Sequence, residues 1–226
     1  MFHQRTRVML AAAVLGGLAL AARPAQADNI TYSLQDLLHG QTLQVGSLTF
    51  ANFSQFSSVS YGGKVMDPAH AFFSPIYGAG EAGFVLTHDG SFQLLQGQTL
   101  RTHFEFDVLT TAPDHIAGAF LGMNPPDGGG KGDLIMVQEK LSTLDRPLMI
   151  STIGNLNGIQ RDFPGPVTLI HVAEDIVLDA RDGDIGLGAV CQEFSQAPEP
   201  STLTLLVLGA AGLAGTHWRR RRPGLS

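Results

Sequence analysis

Apolar or small side chains alternate with polar or charged ones within the segment Leu100–Leu109. Because successive side chains of a β-strand point to opposite faces, a period of two predicts a strand with one buried face and one face in water. The buried set is expected to be Leu100, Thr102, Phe104, Phe106 and Val108, and the solvent-facing set Arg101, His103, Glu105 and Asp107.

Short segments of the same kind fill the chain between residues 28 and 197, separated by Gly, Pro, Asn and Asp. Helical spacing is confined to Leu34–His39, about one turn. Short strands without helices between them predict an all-β fold, an antiparallel sandwich or jelly roll, and no internal repeat supports a solenoid. Further strands are expected at Ile30–Ser33, Gln44–Phe56, Gly83–Thr87, Ser91–Leu95, Ile116–Met123, Asp133–Leu141, Leu148–Ile153, Val167–Val172, Ile176–Leu178 and Ile185–Phe194.

Three segments carry predictions about connections. His88-Asp89-Gly90 predicts a hairpin turn between the strands on either side, because Asp-Gly tolerates positive φ. Gln44–Phe56 is expected to form two strands bent near Asn52. Asn124–Gly132, with the sequence NPPDGGGKG, is expected to be an exposed loop.

The first 27 residues have the three regions of a secretory signal peptide. Arg5 and Arg7 supply the positive start, and Val8–Ala22 is the apolar core. The small residues Ala25 and Ala27 then form a cleavage site for signal peptidase, which predicts a mature chain that begins after residue 27.

The last thirty residues have three parts in a fixed order. A rigid acidic elbow, Pro198-Glu199-Pro200-Ser201, precedes an uncharged apolar run from Thr202 to Trp218. That run is 17 residues long, near the lower limit of about 17 for a helix that crosses a bilayer. The block Arg219, Arg220, Arg221 and Arg222 follows and is expected to stay on the cytoplasmic side.

This tail, residues 197–226, resembles the PEP-CTERM sorting signal of Gram-negative bacteria, also labelled the ice-binding protein C-terminal domain. In that family a membrane protease, exosortase, recognises and removes the tail. The resemblance implies exosortase and, transiently, the membrane as partners. It also implies an inner-membrane-anchored precursor whose mature form goes to the cell surface or the extracellular matrix. An ordinary tail anchor that is never cut is the alternative.

A looser resemblance extends into the domain itself. The segments Ser47–Phe53, Ala173–Leu178 and Gln192–Gln196 are similar to segments of a common group of PEP-CTERM surface proteins. That group implies a β-sandwich domain without a defined activity, and no catalytic residues follow from it. The expected organisation is therefore a signal peptide (1–27), a β-sandwich domain (28–196) and a sorting signal (197–226).

Charge and cysteine content narrow the function of residues 28–197. Three lysines and four arginines stand against fourteen aspartates and five glutamates, a formal charge of −12, whereas the whole chain carries −6. This acidity argues against nucleic acid as a partner, because phosphates would be repelled. Cys191 is the only cysteine, so no disulfide can form within the chain, and we expect it to be a buried small hydrophobic residue rather than a catalytic thiol.

Several acidic and histidine side chains are candidate sites. Asp179, Asp182 and Asp184 surround Gly183 and could gather a Ca²⁺ ion, but their spacing is not that of an EF-hand, so a solvated turn is the preferred interpretation. The scattered histidines His70, His103 and His115, the last beside Asp114, lack metal-ligand spacing and are expected to be surface or satisfied side chains.

Two further groups could act on sugars. Glu105 and Asp107 lie on the same face of one strand, where a carboxylate pair could hydrolyse glycosides, although a wet sheet face is the preferred interpretation. Exposed aromatic side chains could stack on sugar rings, although a core or plug role is preferred; these are Tyr61, Phe72, Phe73 and Tyr77.

The sequence thus predicts a non-enzymatic, exported surface or matrix protein without a cofactor. It would be sorted by exosortase and associated with exopolysaccharide in a biofilm. The alternative is a carbohydrate-binding or carbohydrate-active surface domain, and no nucleophile elbow, phosphate loop or dinucleotide fingerprint occurs.

Overall fold

A computed structural model of the chain describes residues 30–78, 80–90, 92–111, 113–124, 127–128, 130–151, 158–198 and 208–209. Helix α1 spans Leu34–Leu38, and a 3₁₀ turn spans Pro68–His70. The strands are β1 (Tyr32–Ser33), β2 (Leu43–Val45), β3 (Leu48–Tyr61), β4 (Ala71–Gly78), β5 (Glu81–His88), β6 (Gln93–Leu94), β7 (Thr99–Thr110), β8 (Asp114–Met123), β9 (Asp127–Gly128), β10 (Leu134–Leu141), β11 (Leu148–Ser151), β12 (Ile159–Val167), β13 (Leu169–Asp179), β14 (Ile185–Gly186) and β15 (Val190–Pro198).

Two six-stranded sheets form the body of the domain. Sheet A has the order β1-β4-β5-β15-β8-β12, and sheet B has the order β11-β10-β13-β7-β3-β2. A third, small sheet joins the two-residue strands in the order β6-β14-β9. Pairing in all three sheets is antiparallel, so the prediction of an all-β antiparallel fold is confirmed.

Phenylalanine rings from both sheets meet in the space between them. Phe50 of sheet B packs edge-on against Phe84 of sheet A, with ring centroids 5.3 Å apart. Phe73 of sheet A contacts Phe104 of sheet B in the same manner at 5.9 Å. Each such ring buries a large apolar area and gains from edge-to-face geometry. The two sheets therefore share one continuous hydrophobic core.

Strand β7 has the predicted two-faced pattern. Leu100, Phe104, Phe106 and Val108 are fully buried and Thr102 is 2% exposed. The alternate residues, from Arg101 to Asp107, are exposed or partly exposed. The strand lies between β13 and β3 in sheet B, so its wet face is the outer face of that sheet.

Helix α1 forms where helical spacing was expected. The Ser33 hydroxyl accepts a hydrogen bond from the Asp36 amide at 3.1 Å, while the Asp36 carboxylate accepts one from the Ser33 amide. This reciprocal cap stabilises the first turn. Leu34 and Leu37 are fully buried, so one side of the short helix covers the core.

The hairpin predicted at His88-Asp89-Gly90 is wrong. Strand β5 pairs with β4 and with β15, whereas β6 pairs with β14. Both edges of β5 are therefore already occupied by longer partners. The chain after Gly90 instead buries Phe92 and Leu94, each 2% exposed, and carries β6 into the small third sheet.

The break within the predicted pair at Gln44–Phe56 lies earlier than expected. A tight turn at Gly46, with φ of 61°, separates β2 from β3. Asn52 does not end a strand, but it has φ of 55° at a bulge in β3. Asparagine tolerates this left-handed conformation, and a bulge adds a residue and increases the local twist of a continuous strand.

Other strand boundaries also differ from the prediction. The expected strands at Val167–Val172 and Ile176–Leu178 belong mainly to the single strand β13, because the polar segment between them stays paired with both neighbours. The expected strand Ile185–Phe194 is divided between β14 and β15. Within the expected loop Asn124–Gly132, Asp127–Gly128 pairs with β14 as β9.

Strands β4 and β12 were missed because each contains proline. Proline lacks an amide hydrogen and is tolerated at sheet edges. Strand β12, which contains Pro164, lies at the end of sheet A and pairs with β8 alone among the described strands. Strand β1 covers just Phe72 and Phe73 of β4, which leaves the edge beside Pro75 without a partner strand among the described residues.

Replacing Phe104 with alanine should lower the free energy of unfolding by roughly 3–5 kcal/mol, because the ring lies at the junction of the two sheets and its loss opens a cavity. Urea unfolding followed by circular dichroism on residues 28–197 measures this change. Val59→Ala is the matched control, since Val59 is 68% exposed on sheet B and should change stability by no more than about 0.5 kcal/mol. Equal effects of the two substitutions would contradict the assigned core.

Candidate functional site

The C-terminal strand leads directly into the predicted elbow. Strand β15 lies in the middle of sheet A and pairs with β5 and β8. Its last residues remain paired, Ala197 with His115 and Pro198 with Asp114. The Gln196 amide donates to the carbonyl of Gly80 at 2.8 Å, and its side chain accepts from the Ser47 hydroxyl at 2.8 Å. The folded domain therefore extends to Pro198.

The rest of the two processing signals lies outside the described residues. This applies to Ala25 and Ala27, to Glu199, Pro200 and Ser201, and to Arg219, Arg220, Arg221 and Arg222. Of the predicted apolar span, only residues 208 and 209 are described, and they are helical. Within the described parts of the chain, no helix has the length and apolar character needed to cross a membrane.

The acidic turn separates its three carboxylates rather than gathering them. Asp179 forms an ion pair with Arg181, and it raises the pKa of that guanidinium by hydrogen bonding to it. Asp182 accepts from the amide of Gly132 at 2.8 Å, and Asp184 accepts from the amide of Gln96 at 2.9 Å. Each carboxylate thus has its own structural partner.

Asp133 is the buried member of this region and was not singled out from the sequence. It is 6% exposed and accepts hydrogen bonds from the amides of Asp182, Gly130 and Gly183. The amide of Asp182 contributes most to lowering the pKa of its carboxyl group. Asp133 therefore holds the acidic turn against the end of β10 as an anionic cap for backbone amides.

A row of polar side chains crosses the outer face of sheet B. This histidine–carboxylate row consists of Asn52, His103, Glu105, Asp107, His171 and Asp175, on strands β3, β7 and β13. His171 Nδ1 lies 2.8 Å from Asp107, and His103 Nδ1 lies 2.9 Å from Asp175. Asn52 donates to the other oxygen of Asp107 at 2.8 Å.

Glu105 lies between the two imidazoles. His103 Nε2 is 3.5 Å from one of its oxygens and His171 Nε2 is 3.4 Å from the other. Glu105 and Asp107 do share one face, as predicted, and His171 bridges them. Across the described ranges, no three His, Cys, Asp or Glu side chains are grouped to surround one metal ion.

The sequence pattern alone predicted only some of the residues in this row. Alternation placed His103, Glu105 and Asp107 on the wet face of one strand. The pairing with His171 and Asp175 depends on the register between β7 and β13, which sets His171 opposite Asp107 and Asp175 opposite His103. His70 is also paired, with Asp89 just after β5, so His70 and His103 each have a carboxylate partner at Nδ1.

The aromatic residues divide between core and surface. Phe73 is fully buried as expected, but Tyr61 is 77% exposed and Tyr77 is 47% exposed, so the plug interpretation is wrong for these two tyrosines. A side chain added at Gly46 would meet the Tyr77 ring at 2.8 Å, so Tyr77 covers the β2–β3 turn. Tyr61 directly precedes Gly62, which lines a cleft of about 700 Å³. The other lining residues are Gly63, Lys64, Gly90, Gln93, Leu94, Leu95, Gln98, Asp184, Ile185 and Gly186.

Cys191 has a free thiol on the outer face of sheet A. Burial is the main cause, and a hydrogen bond to Glu193 the second, that raises the pKa of this thiol to about 12. The thiol therefore stays protonated at neutral pH. Glu193 also bonds Glu81, which raises the pKa of Glu81. These groups line a smaller cleft of about 310 Å³ beside Tyr77. Cys191 is half-buried rather than in the core, which corrects the prediction.

A second polar cluster lies inside the core. Glu139 of β10 and Glu174 of β13 are directly opposite in register, and both are fully buried. Gln192 of β15, also fully buried, donates from its amide to Glu139 across the two sheets. Neither carboxyl oxygen of Glu174 has a hydrogen-bond partner within the described residues.

Burial controls the protonation of this pair. Loss of hydration is the main cause that raises the pKa of Glu139 well above its usual range and that of Glu174 to about 8. The negative charge of Glu174 further raises the pKa of Glu139, and Asp175 acts in the same way on Glu174. Glu174 is therefore mostly neutral in the folded domain below about pH 7.

Taken together, these features define a β-sandwich domain whose central strand continues into a C-terminal targeting segment. The PEP-CTERM protein-sorting motif matches residues 196–222, so the chain is a PEP-CTERM sorting domain-containing protein. This motif indicates an exported surface protein that is processed by exosortase. The match begins two residues before Pro198, inside strand β15.

Comparison with solved structures adds little to this assignment. A structure of TmCBM61 in complex with β-1,4-galactotriose is 13% identical, with a TM-score of 0.30, and the alignment covers 65% of this chain and 90% of that chain. The enzymatically active domain of bacteriophage CBA120 tailspike protein 4 is 9% identical, with a TM-score of 0.24, over 64% of this chain and 19% of that chain. Scores this low carry no argument about function. No curated protein matches the chain.

Domain stability should fall as pH rises from about 5 to about 8. In this range Glu174 is protonated in the folded state but ionised in the unfolded state. Because of this one group, the free energy of unfolding decreases by at most about 1.4 kcal/mol for each pH unit. In urea unfolding at several pH values, Glu174→Gln should weaken this decline. Asp145→Asn on the exposed surface is the control and should keep the wild-type slope. Parallel profiles for wild type and Glu174→Gln would contradict the assignment.

Proposed function

We propose that the chain is a non-enzymatic surface or matrix protein that exosortase releases from an inner-membrane precursor. Signal peptidase removes residues 1–27, and the apolar run 202–218 then holds the precursor in the membrane. The mature domain is associated with extracellular polysaccharide in a biofilm. The observation that carries this proposal is the sorting motif at residues 196–222.

The position of the folded domain supports processing at the membrane surface. Among the described residues the last paired one is Pro198, and the apolar run begins at Thr202. The three residues between them can span at most about 11 Å. A protease that acts on the elbow would therefore work in a narrow gap between the β-sandwich and the bilayer, which suits a membrane-embedded enzyme.

The charges on the two sides of the apolar run support the orientation. Placing arginine in the middle of a bilayer costs roughly 2.5–3.5 kcal/mol for each side chain, so the block at residues 219–222 favours the cytoplasmic side. The domain, with its formal charge of −12 over residues 28–197, then lies outside. Its acidity disfavours nucleic acid and suits neutral or cationic glycans.

Replacing Pro198-Glu199-Pro200 with three alanines should leave a membrane-bound precursor that keeps the tail. The reason is that these residues would be recognised by the protease, whereas insertion depends on the apolar run. Immunoblots of membrane and culture fractions from the native host would show a larger, retained species. The surface triplet Asp145-Arg146-Pro147, changed to three alanines, is a control of equal length and should be processed normally.

Trimming of the triple-alanine form at the normal rate would contradict the proposed sorting and favour an ordinary tail anchor. Deletion of residues 219–222 should have a different effect, since it weakens retention and orientation instead of recognition. Comparing the two variants therefore separates the role of the elbow from that of the arginine block.

A carbohydrate-binding domain is the second candidate function, and the exposed Tyr61 favours it. Tyr61 directly precedes Gly62, which lines a cleft that also includes Gln93 and Gln98. An exposed aromatic face and side-chain amides are suitable groups for binding sugar rings and hydroxyls.

Tyr61→Ala should therefore reduce retention of the domain in affinity gels containing the exopolysaccharide of the host. Tyr77→Ala, on the opposite sheet, is the matched control and should not change retention. Equal mobility of wild type and Tyr61→Ala in gels that retain the domain would exclude this cleft as the glycan site.

A further inference from the structure

Both imidazoles of the histidine–carboxylate row are held in the same way. The Nδ1 atom of each faces a carboxylate, Asp175 for His103 and Asp107 for His171. Such a carboxylate accepts the Nδ1 hydrogen and fixes the ring, and Asn52 in turn fixes Asp107. In the neutral tautomer this leaves each Nε2 atom as an acceptor, directed toward Glu105.

In this arrangement each Nε2 acceptor faces an oxygen of Glu105, which is also an acceptor. Hydrogen bonds from nitrogen to oxygen are about 2.7–3.2 Å long, but the two Nε2 atoms lie 3.5 and 3.4 Å from the oxygens of Glu105. A lone pair that faces a carboxylate is repelled unless positive charge lies between them. Either a proton on each imidazole or a bound cation would supply that charge.

The spacing suits a cation. Zinc binds imidazole nitrogen at about 2.0–2.1 Å and carboxylate oxygen at about 2.0–2.2 Å, which in tetrahedral geometry separates the two ligand atoms by about 3.4 Å. Both Nε2-to-oxygen distances in the row have this value within 0.1 Å. Each histidine therefore forms, with one oxygen of Glu105, a pair of adjacent metal ligands.

We propose that the row binds divalent transition-metal ions of the zinc type, one on each side of Glu105. His103 and one oxygen of Glu105 hold the first ion, and His171 and the other oxygen hold the second. Water fills the remaining positions. Each ion has two protein ligands, because no group of three occurs in the described part of the chain. Metal binding goes beyond the sorting function and does not depend on it.

Ligand type and exposure support this class of ion. Imidazole nitrogen is a preferred ligand of zinc and copper, whereas magnesium and calcium prefer sites made of oxygen. The side chains of His171 and His103 are 50% and 30% exposed, so ions can reach them from solvent. The three carboxylates of the row outnumber its two histidines, which leaves negative charge even when both histidines are protonated.

The test is isothermal titration of the full-length precursor, without a polyhistidine tag and in detergent, with zinc chloride. Wild type should bind two zinc ions that Glu105→Gln does not bind, because this substitution removes the shared ligand while keeping the shape of the side chain. His171→Ala should lose one of the two ions. Magnesium chloride at equal concentration should not displace the zinc.

Two further variants separate this row from other histidines. Asp107→Asn should weaken the ion at His171 by about 10- to 100-fold and leave the ion at His103 unchanged, as expected for a residue that orients a ligand. His70→Ala is the matched control, since His70 also faces an aspartate but lies in another region, and it should not change the two ions that depend on Glu105.

NMR and circular dichroism distinguish direct zinc binding to the row from an indirect effect of the substitution on folding. In protein labelled with ¹⁵N-histidine, zinc should shift the Nε2 resonances of His103 and His171 and leave their Nδ1 resonances in place. Circular dichroism should show the same thermal transition for the Glu105→Gln variant and the wild type without metal. Zinc binding of equal number and affinity in wild type and Glu105→Gln would overturn the proposal, as would histidines in the row that respond only to protons.

Discussion

The packing of phenylalanine rings between two sheets is the interaction on which the rest of the molecule depends. The chain has a single cysteine, so no internal disulfide supports the domain, and stability has to come from burial. Rings from β3, β4, β5, β7 and β15 meet in one layer; they are Phe50, Phe53, Phe73, Phe84, Phe104, Phe106 and Phe194. This layer positions the outer face of sheet B and also holds β15, which leads to the sorting motif.

Two kinds of polar group are organised around this layer. Outside it, the row on sheet B is accessible, and its side chains fix one another in place. Inside it, Glu139 and Glu174 interrupt the apolar pattern, and their pKa values are raised because ionisation in the core is unfavourable. Gln192 links this pair to β15, so the strand that carries the processing signal is anchored by phenylalanine packing and by a buried hydrogen bond.

Local patterns predicted the parts of the structure that depend on local sequence. Strand β7 could be predicted because every inward position is apolar or small, and the tail because its three parts are consecutive. Strand β13 was divided in two because Glu174 occupies an inward position, and β4 and β12 were missed because prolines stand where a sheet edge tolerates them. The partners in the histidine–carboxylate row are 55 to 72 residues apart, and only strand register brings them together.

The central claim is that the tail is a processing signal attached directly to a folded domain. Mass spectrometry of the intact mature protein from the native host tests this most directly. The account predicts a chain that begins at Asp28, retains Gln196 within strand β15, and lacks residues 202–226. A mature chain that still carries the apolar run and the arginine block would contradict it.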